Sequence, residues 1–379
     1  MNDYFIEKVI IKDVRDIKNL EIPLDKSERK HLIITGKNGC GKTSTLIEIN
    51  NLLNKFIKKI PMHNLENIQN TSKVDLIFSN KDTIKDSIYK DIINRKFILA
   101  YFKAKRENKP IVSSSIQNIT LAPNYNTDTN NLHTKFIQYM VRLRVDMLDA
   151  KEEKEFNEVK RIKKWFESFE SSLKELFGTD ELRLKYYRKE LNFKIEYEGK
   201  SFGLNELSDG YSSLLTILTE LILRMEAHNV LAYNMEGVVL VDEIETHLHV
   251  ALQKKVLPFL TSFFKNIQFI VTTHSPFVLS SLSNAVICDL EKRMITTDLS
   301  AYSYDALIES YFDSDKYSKE VKEKIEQFEI LADKDNLSDI EKDDYYQLKR
   351  YFNTIPTFMA DELAVKINEI KLRTMCKIN

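Results

Sequence analysis

Residues 31–46 read His-Leu-Ile-Ile-Thr-Gly-Lys-Asn-Gly-Cys-Gly-Lys-Thr-Ser-Thr-Leu, and the rest of the chain can be interpreted from this stretch. The short apolar run Leu32–Ile34 predicts a buried strand, and Leu46, Ile47 and Ile49 begin a helical pattern. Between them lies the pattern Gly-x-x-x-x-Gly-Lys-Thr. A glycine-rich loop between a strand and a helix is the setting of a P-loop, so we predict a nucleotide-binding site here.

The residue types in this loop suit a phosphate chain. Glycines let the backbone approach closely, and backbone N–H groups together with the helix N-terminus attract an anion. Lys42 would reach the β- and γ-phosphates, and Thr43 would bind Mg²⁺. The alternative is a plain glycine turn, which is disfavoured because three of the chain's 8 glycines cluster here. The candidate nucleotide-binding residues are Gly36, Lys37, Asn38, Gly39, Cys40, Gly41, Lys42, Thr43 and Ser44.

Length and composition limit the class of protein. A chain of 379 residues with 43% hydrophobic residues predicts two or three globular domains. The net charge of −1 argues against a uniformly basic nucleic-acid-binding surface, although local basic faces are compatible with it. Cys40, Cys288 and Cys376 are too few and too scattered for a disulfide framework or a zinc site, and they fit a reducing compartment. With no signal peptide and no long apolar run, we expect a cytoplasmic protein without a membrane partner.

Hydrophobic periodicity predicts alternating strands and helices, and therefore an α/β fold. The predicted strands are Phe5–Ile11, Leu20–Leu24, Leu32–Ile34, Val74–Phe78, Lys96–Phe102, Leu182–Tyr187, Leu191–Tyr197, Gly237–Val241 and Gln268–Thr272. The predicted helices are Ser44–Ile60, Lys135–Phe177, Leu214–Met225, Leu248–Phe264 and a charged region from Ser303 to Lys371. Lys135–Phe177 is predicted to be an amphipathic arm packed on the core, with a lever for nucleic acid as the alternative.

An apolar strand downstream ends in two carboxylates that complement the P-loop. Gly237–Val241 is followed by Asp242 and Glu243. Asp242 could hold Mg²⁺ through water next to Thr43, and Glu243 could polarise an attacking water as general base. Such a pair is more often a solvated strand end, but a P-loop requires a downstream partner of this kind.

Two further stretches carry candidate residues. The strand Gln268–Thr272 is soon followed by His274, which could contact a γ-phosphate and the attacking water or could be structural. Residues 204–211 precede an apolar helix, and Ser208 with the backbone of Gly210 could bind an anion at its start. Taken alone, Ser208 is better explained as a helix N-cap.

In this order the motifs resemble those of the ATP-binding-cassette (ABC) ATPase superfamily: P-loop, Leu-Ser-x-Gly-x signature, Asp-Glu Walker B motif and switch histidine. The stretch Glu245–His249 resembles the D-loop of that superfamily. Leu-Ser-Asp-Gly-Tyr, Asp-Glu-Ile-Glu-Thr-His-Leu-His and Thr-Thr-His-Ser-Pro-Phe together resemble the soluble branch. That branch holds the RecF- and SMC-like repair ATPases, the ATPase domain of the overcoming-lysogenisation-defect (OLD) proteins and the Septu-type ATPases of bacterial anti-phage systems. The resemblance covers about residues 1–60 and 180–300.

The resemblance implies ATP as the nucleotide, Mg²⁺ as the metal and a pair of heads that enclose two ATP molecules. The signature of one copy would contact the γ-phosphate bound by the other copy. The implied catalytic residues are Lys42, Glu243 and His274, the metal-binding residues are Thr43 and Asp242, and the signature residues acting in trans are Ser208, Asp209 and Gly210.

The sequence departs from the family pattern at two places. Asp209 stands where the familiar signature has glycine. After the strand Lys96–Phe102 the family usually has a glutamine, whereas this chain offers Lys103, Lys105 and Arg106. Which residue takes over the role of that glutamine stays open.

The sequence therefore predicts an α/β, ABC-type P-loop ATPase head with a mixed β-sheet, a helical insert and a helical C-terminal region. The predicted segments are 1–106 and 181–300 for the head, 107–180 for the loop and helical insert, and 301–379 for assembly or partner binding. The predicted function is ATP-dependent control of a separate effector, a nuclease, in anti-phage defence. The alternatives are a RecF- or SMC-like repair ATPase that binds DNA directly, and an ATP-bound scaffold with little turnover.

Overall fold

The computed structural model describes residues 4–57, 71–79, 97–106, 109–112, 115–116, 119, 121, 132–227, 235–302, 307, 319–334, 337–354 and 367–370. The chain forms two compact units, Met1–Tyr304 and Asp305–Asn379. The finer division into four segments stays a prediction.

Strands and helices alternate as the sequence predicts. The strands are β1 Ile6–Val14, β2 Ile17–Pro23, β3 His31–Thr35, β4 Val74–Phe78, β5 Phe97–Phe102, β6 Arg183–Tyr187, β7 Asn192–Tyr197, β8 Lys200–Gly203, β9 Glu236–Val241, β10 Ile267–Thr272, β11 Ala285–Asp289 and β12 Met294–Thr297. The α-helices are α1 Lys42–Ile57, α2 Phe136–Glu152, α3 Phe156–Phe177, α4 Asp209–Glu226, α5 Val250–Gln253, α6 Val256–Phe263, α7 Pro276–Leu279, α8 Lys319–Asp333 and α9 Asp339–Thr354. The predicted end of the first helix, residues 58–60, lies outside the described residues.

A six-stranded sheet in the order β12-β11-β3-β10-β9-β5 forms the centre of the first unit. Five of its strands run parallel, and β12 pairs antiparallel with β11 at one edge. Parallel strands place their carboxyl ends at one edge of the sheet, which is where open α/β sheets bind ligands. Gly36, Asp242 and Thr273, which follow β3, β9 and β10, therefore meet there. The predicted α/β class with a mixed sheet is confirmed.

A second sheet, in the order β2-β1-β4, is antiparallel and contains the predicted N-terminal hairpin. Its apolar residues share one core with α1 and with one face of the central sheet. Gln268 on β10 joins the two sheets, because its side chain accepts a hydrogen bond from Ile6 N (2.7 Å) and donates to Ile6 O (2.9 Å) and Lys30 O (2.7 Å). A buried amide is stable in this place only because its oxygen and its NH₂ group both have partners.

Aromatic packing joins α2, α3 and the three-stranded sheet β6-β7-β8. Trp165 on α3 stacks on Phe169 with ring centroids 5.6 Å apart and meets Phe166 edge-on at 5.0 Å. Phe166 in turn stacks on Phe193 of β7 at 5.3 Å. The predicted Lys135–Phe177 helix is therefore an arm packed on a core, but it consists of two helices separated at residues 153–155.

The helix α4 is buried on nearly every side, including its charged residues. Glu220 accepts hydrogen bonds from Arg224 Nη2 (2.9 Å), and His133 Nδ1 lies 3.2 Å from its other carboxylate oxygen. Burial alone would raise the pKa of Glu220, but these two partners outweigh burial and lower it. Removing one partner from such a buried cluster typically lowers the free energy of unfolding by about 3–5 kcal/mol. Because His133 lies before α2, the cluster fixes α4 to that segment.

The second unit contains α8 and α9, which pack through aromatic side chains. Phe328 stacks on Tyr345 at 5.0 Å and contacts Phe352 at 5.4 Å, and Ile367 and Ile370 complete this core. The predicted apolar positions Phe358 and Leu363 lie outside the described residues. Within the described parts of both units, no helix is long and apolar enough to cross a membrane.

Candidate functional site

The P-loop backbone has the conformation that its glycines predict. Gly36, Gly39 and Gly41 all have positive φ angles, of 130°, 86° and 104°. A Cβ atom on Gly36 would lie 2.9 Å from Cys40 Sγ, so no other residue fits there without a shift. The Cys40 thiol is partly buried, and burial raises its pKa, so it stays protonated at neutral pH.

Lys42 begins α1 and is only 6% exposed. Its Nζ atom donates to the carbonyl oxygens of Gly36 (2.9 Å) and Lys37 (3.0 Å). The ammonium group is therefore enclosed by the loop. A positive charge at this place, beside the N-terminus of a helix, is the combination that binds phosphate oxygens.

Thr43 and Asp242, 199 positions apart in the chain, lie next to each other. Thr43 Oγ1 donates to Asp242 Oδ1 over 3.1 Å, and Thr272 Oγ1 donates to the same oxygen over 2.6 Å. A hydroxyl and a carboxylate are the oxygen ligands that Mg²⁺ prefers, directly or through water. The donor set at the ends of β3 and β9 therefore fits the predicted metal, with Thr272 orienting the carboxylate.

Glu243 has an unusual backbone conformation, with φ +45°. A left-handed conformation costs a residue with a side chain roughly 1–2 kcal/mol. Hydrogen bonds on both sides stabilise it: Glu243 N donates to Thr272 Oγ1 (2.7 Å), and Glu243 O accepts from Arg106 Nη2 (3.0 Å). Its carboxylate accepts a bond from Thr246 Oγ1 at 3.2 Å. The predicted general base is thus fixed by three neighbours.

Arg106 follows β5, in the region where the family has its glutamine. Its other hydrogen bonds go to Lys103 O, Asp242 O, Ile244 O and Ser213 Oγ, at 2.8–3.4 Å. Burial lowers the pKa of Arg106 to about 10, so it stays charged at neutral pH. Its guanidinium group thus binds backbone around the Walker B motif, while Lys103 is exposed.

His274 lies after β10, half-buried, and its backbone N–H donates to Glu245 Oε1 over 2.5 Å. Burial, and then the positive charge of Lys42, lower the pKa of His274. The imidazole is therefore neutral at neutral pH, with one nitrogen able to donate and the other able to accept.

The signature residues occupy the first turn of α4. Ser208 is at the N-cap position, yet its side chain makes no capping hydrogen bond and is exposed. The side chain of Asp209 is 78% exposed and lies 3.8 Å from Lys109 Nζ, so this position does not require glycine. Gly210 is different, because a Cβ atom there would lie 2.9 Å from the carbonyl oxygen of His247. The start of α4 thus packs directly on the segment after Walker B.

Several site residues escape sequence reasoning. Arg15, at the turn between β1 and β2, donates to Gly39 O over 3.4 Å and has a φ angle of +53°. Glu291, after β11, accepts from Lys37 N (3.3 Å) and forms an ion pair with Lys37 Nζ (3.0 Å). No local pattern marks either residue, because both reach the P-loop only through the fold.

The strand order, the P-loop and the Thr43–Asp242 contact define the class of protein: a P-loop ATPase domain of the ABC type. Residues 198–280, from just before the signature to just after the switch histidine, match a protein-family model described as "AAA domain, putative AbiEii toxin, Type IV TA system".

A Septu protein and a retron ATPase are among the relatives whose sequences match this chain. The chain is 28% identical over 313 residues to the Septu protein PtuA of Bacillus mycoides, which covers 76% of this chain and 41% of that protein. It is 36% identical over 104 residues to the Retron Ec83 probable ATPase of Escherichia coli, which covers 27% of this chain and 19% of that protein. The chain thus spans well under half the length of these relatives. The predicted class, and the resemblance to ATPases of anti-phage systems, are confirmed.

Among solved structures, an SMC head bound to the C-winged helix domain of ScpA superposes with a TM-score of 0.41 at 16% identity, covering 78% of this chain and 99% of that chain. The SMC head domain from Thermotoga maritima gives a TM-score of 0.38, also at 16% identity, over 74% of this chain and 93% of that chain.

Proposed function

We propose that this chain binds and hydrolyses Mg²⁺-bound ATP and dimerises around it. The observation that carries the proposal is the 3.1 Å contact between Thr43 Oγ1 and Asp242 Oδ1, which brings the two halves of a nucleotide site together. Mg²⁺ on these oxygens would neutralise charge on the β- and γ-phosphates. Lys42 would bind the same phosphates from within the loop.

Glu243 is proposed as the general base. Its backbone is fixed on both sides and its carboxylate accepts a hydrogen bond from Thr246, so the group is oriented before substrate binds. Such preorganisation is the main way in which a site without covalent chemistry accelerates phosphoryl transfer. The neutral imidazole of His274 is proposed to contact the γ-phosphate or the attacking water.

The signature is proposed to act on the ATP of a second copy. The exposure of Ser208 and its unused capping position support this, because a hydroxyl at a helix start can bind an anion from outside the chain. Two identical heads related by a two-fold axis would form two such composite sites.

Mixing two inactive variants tests the composite site. Lys42→Ala and Ser208→Arg should each lack turnover, but an equimolar mixture should regain up to about a quarter of the parent's active sites, because half of the dimers are mixed and each mixed dimer has one intact site. ATP hydrolysis is measured before and after mixing.

The control mixes Lys42→Ala with Glu243→Gln. Both residues belong to the same head's half of the site, so no intact site can form and no turnover should return. Equal recovery in the two mixtures, or none in either, would contradict the composite site.

We further propose that the ATP cycle controls a separate effector, a nuclease, in anti-phage defence. The similarity to a Septu protein and to retron ATPases supports this role. The unit Asp305–Asn379 is proposed as the region that mediates assembly or holds the effector, because it is compact by itself and has its own apolar core.

Deleting residues 305–379 tests that assignment. We expect a folded head that still binds ATP but is smaller in solution or no longer retains the product of the neighbouring open reading frame on co-purification. Oligomeric mass, ATP binding and retention are measured together. Unchanged mass with intact partner retention would rule the assignment out, and an insoluble head would indicate that the unit only covers apolar surface.

A further inference from the structure

Arg106 lies where three parts of the head meet: the end of β5, the first turns of α4 and the loop after β9. Its Nε atom donates to Ser213 Oγ over 2.9 Å. Its Nη atoms donate to the carbonyl oxygens of Asp242 (2.8 Å) and Glu243 (3.0 Å). Arg106 is only 8% exposed, and its side chain uses all three of its nitrogens in these bonds.

We propose that Arg106 is a positioning residue that orients Glu243 and links the signature helix to it. The inference rests on the proposed role of Glu243 as general base. Arg106 itself contacts neither Lys42 nor Thr43 through any hydrogen bond among the described residues, so its action on ATP would be indirect.

The planar guanidinium group carries five donors in a fixed fork, so it can bind successive carbonyl groups at set angles. The carbonyl of Glu243 is one of them, and Thr272 binds the N–H on the other side of the same residue. These two contacts fix the backbone of Glu243 and hence the direction of its Cα–Cβ bond, and Thr246 Oγ1 then binds the carboxylate itself.

Ser213 is one turn beyond Gly210, on the helix that begins with the signature. The carbonyl oxygen of His247, four residues after Glu243, lies so close to this turn that a Cβ atom on Gly210 would be only 2.9 Å from it. Two separate contacts therefore join the start of α4 to the loop that carries Glu243. A partner's ATP that moves this turn would move Glu243 through them.

The variants Arg106→Lys and Ser213→Ala test the proposal in the full chain. Lysine keeps the charge but loses the fork, so Arg106→Lys should lower kcat by about 10- to 100-fold while the Kd for ATP changes less than about threefold. Ser213→Ala removes only the link to α4 and should lower kcat by a smaller factor, again without a change in Kd. Thermal unfolding is measured for each variant.

Arg224→Lys is the matched control. Arg224 is another buried arginine, and it lies on α4, the helix that also carries Ser213. Like Arg106, it donates to a backbone carbonyl, in this case Leu99 O at 3.2 Å. Arg224→Lys should have nearly the same kcat as the parent once any loss of Tm has been taken into account. An unchanged kcat in Arg106→Lys, or a parallel loss of kcat, Kd and Tm in both arginine variants, would overturn the proposal.

Hydrogen exchange separates this inference from the proposed function. A parent chain without ATP turnover would overturn the proposed function alone. Amide exchange in residues 242–246 would then still decide the inference: faster exchange in Arg106→Lys than in the parent supports positioning, and equal exchange overturns it.

Discussion

Replacing Lys42 with alanine is expected to abolish ATP hydrolysis and to weaken ATP binding by roughly 10- to 150-fold. The factor follows from the value of a hydrogen bond to a charged group, about 1.5–3 kcal/mol. Lys42 Nζ donates to the carbonyl oxygens of Gly36 and Lys37, so the substitution removes a cation that is held inside the loop. Affinity is measured by equilibrium binding, and turnover by phosphate release.

Lys55→Ala is the control for this result. Lys55 lies in the last turn of the same helix, where its Nζ atom is 3.4 Å from Ser72 Oγ. It should bind and hydrolyse ATP like the parent. If Lys42→Ala also behaves like the parent, the P-loop does not bind ATP and the proposed function fails.

Replacing Glu243 with glutamine should separate binding from chemistry. The amide cannot accept a proton from water, so we expect a loss of about 10²- to 10⁴-fold in rate while ATP stays bound. Because the site would form but not turn over, ATP should trap a dimer, visible as a doubled mass. The change is isosteric, and the backbone contacts to Arg106 and Thr272 do not involve the carboxylate.

Glu198→Gln is a close control, because Glu198 is also a glutamate with a left-handed backbone (φ +50°), but on an exposed turn. It should leave turnover and mass unchanged. If Glu243→Gln hydrolyses ATP normally, Glu243 is an ordinary solvated carboxylate and not the general base.

The parts of the fold with strong local signals could be predicted from the sequence. The strand of the P-loop and the strand before Asp242 are short apolar runs flanked by glycine or carboxylates, and both are present as β3 and β9. Three strands, β8, β11 and β12, were not predicted. The strands β8 and β12 have only four residues each, with mixed exposure and no clear alternation. The helix predicted for Leu248–Phe264 is divided into α5 and α6, a break that apolar periodicity does not reveal.

Residues whose role depends on distant partners could be noticed but not interpreted. Arg106 stood out as a basic residue after a strand, yet its partners on the Walker B loop are more than a hundred positions away. Thr272 reads as the last residue of an apolar strand, although its hydroxyl joins Asp242 to Glu243. Gln268 begins the same pattern and connects two sheets. Hydrogen bonds between separate elements produce no periodic pattern in the amino-acid sequence, so the sequence alone does not reveal them.

The aromatic core formed by α2, α3 and β7 also makes the protein a natural optical reporter. Trp165 is the single tryptophan of the chain, and it is buried between Phe169 and Phe166. Selective excitation of the indole ring therefore produces fluorescence from this one location, without a chemical label. Any rearrangement of α3 against β7 that changes the stacking or lets water reach the ring will alter its emission wavelength and lifetime, so this packing can be followed in real time in the unmodified protein.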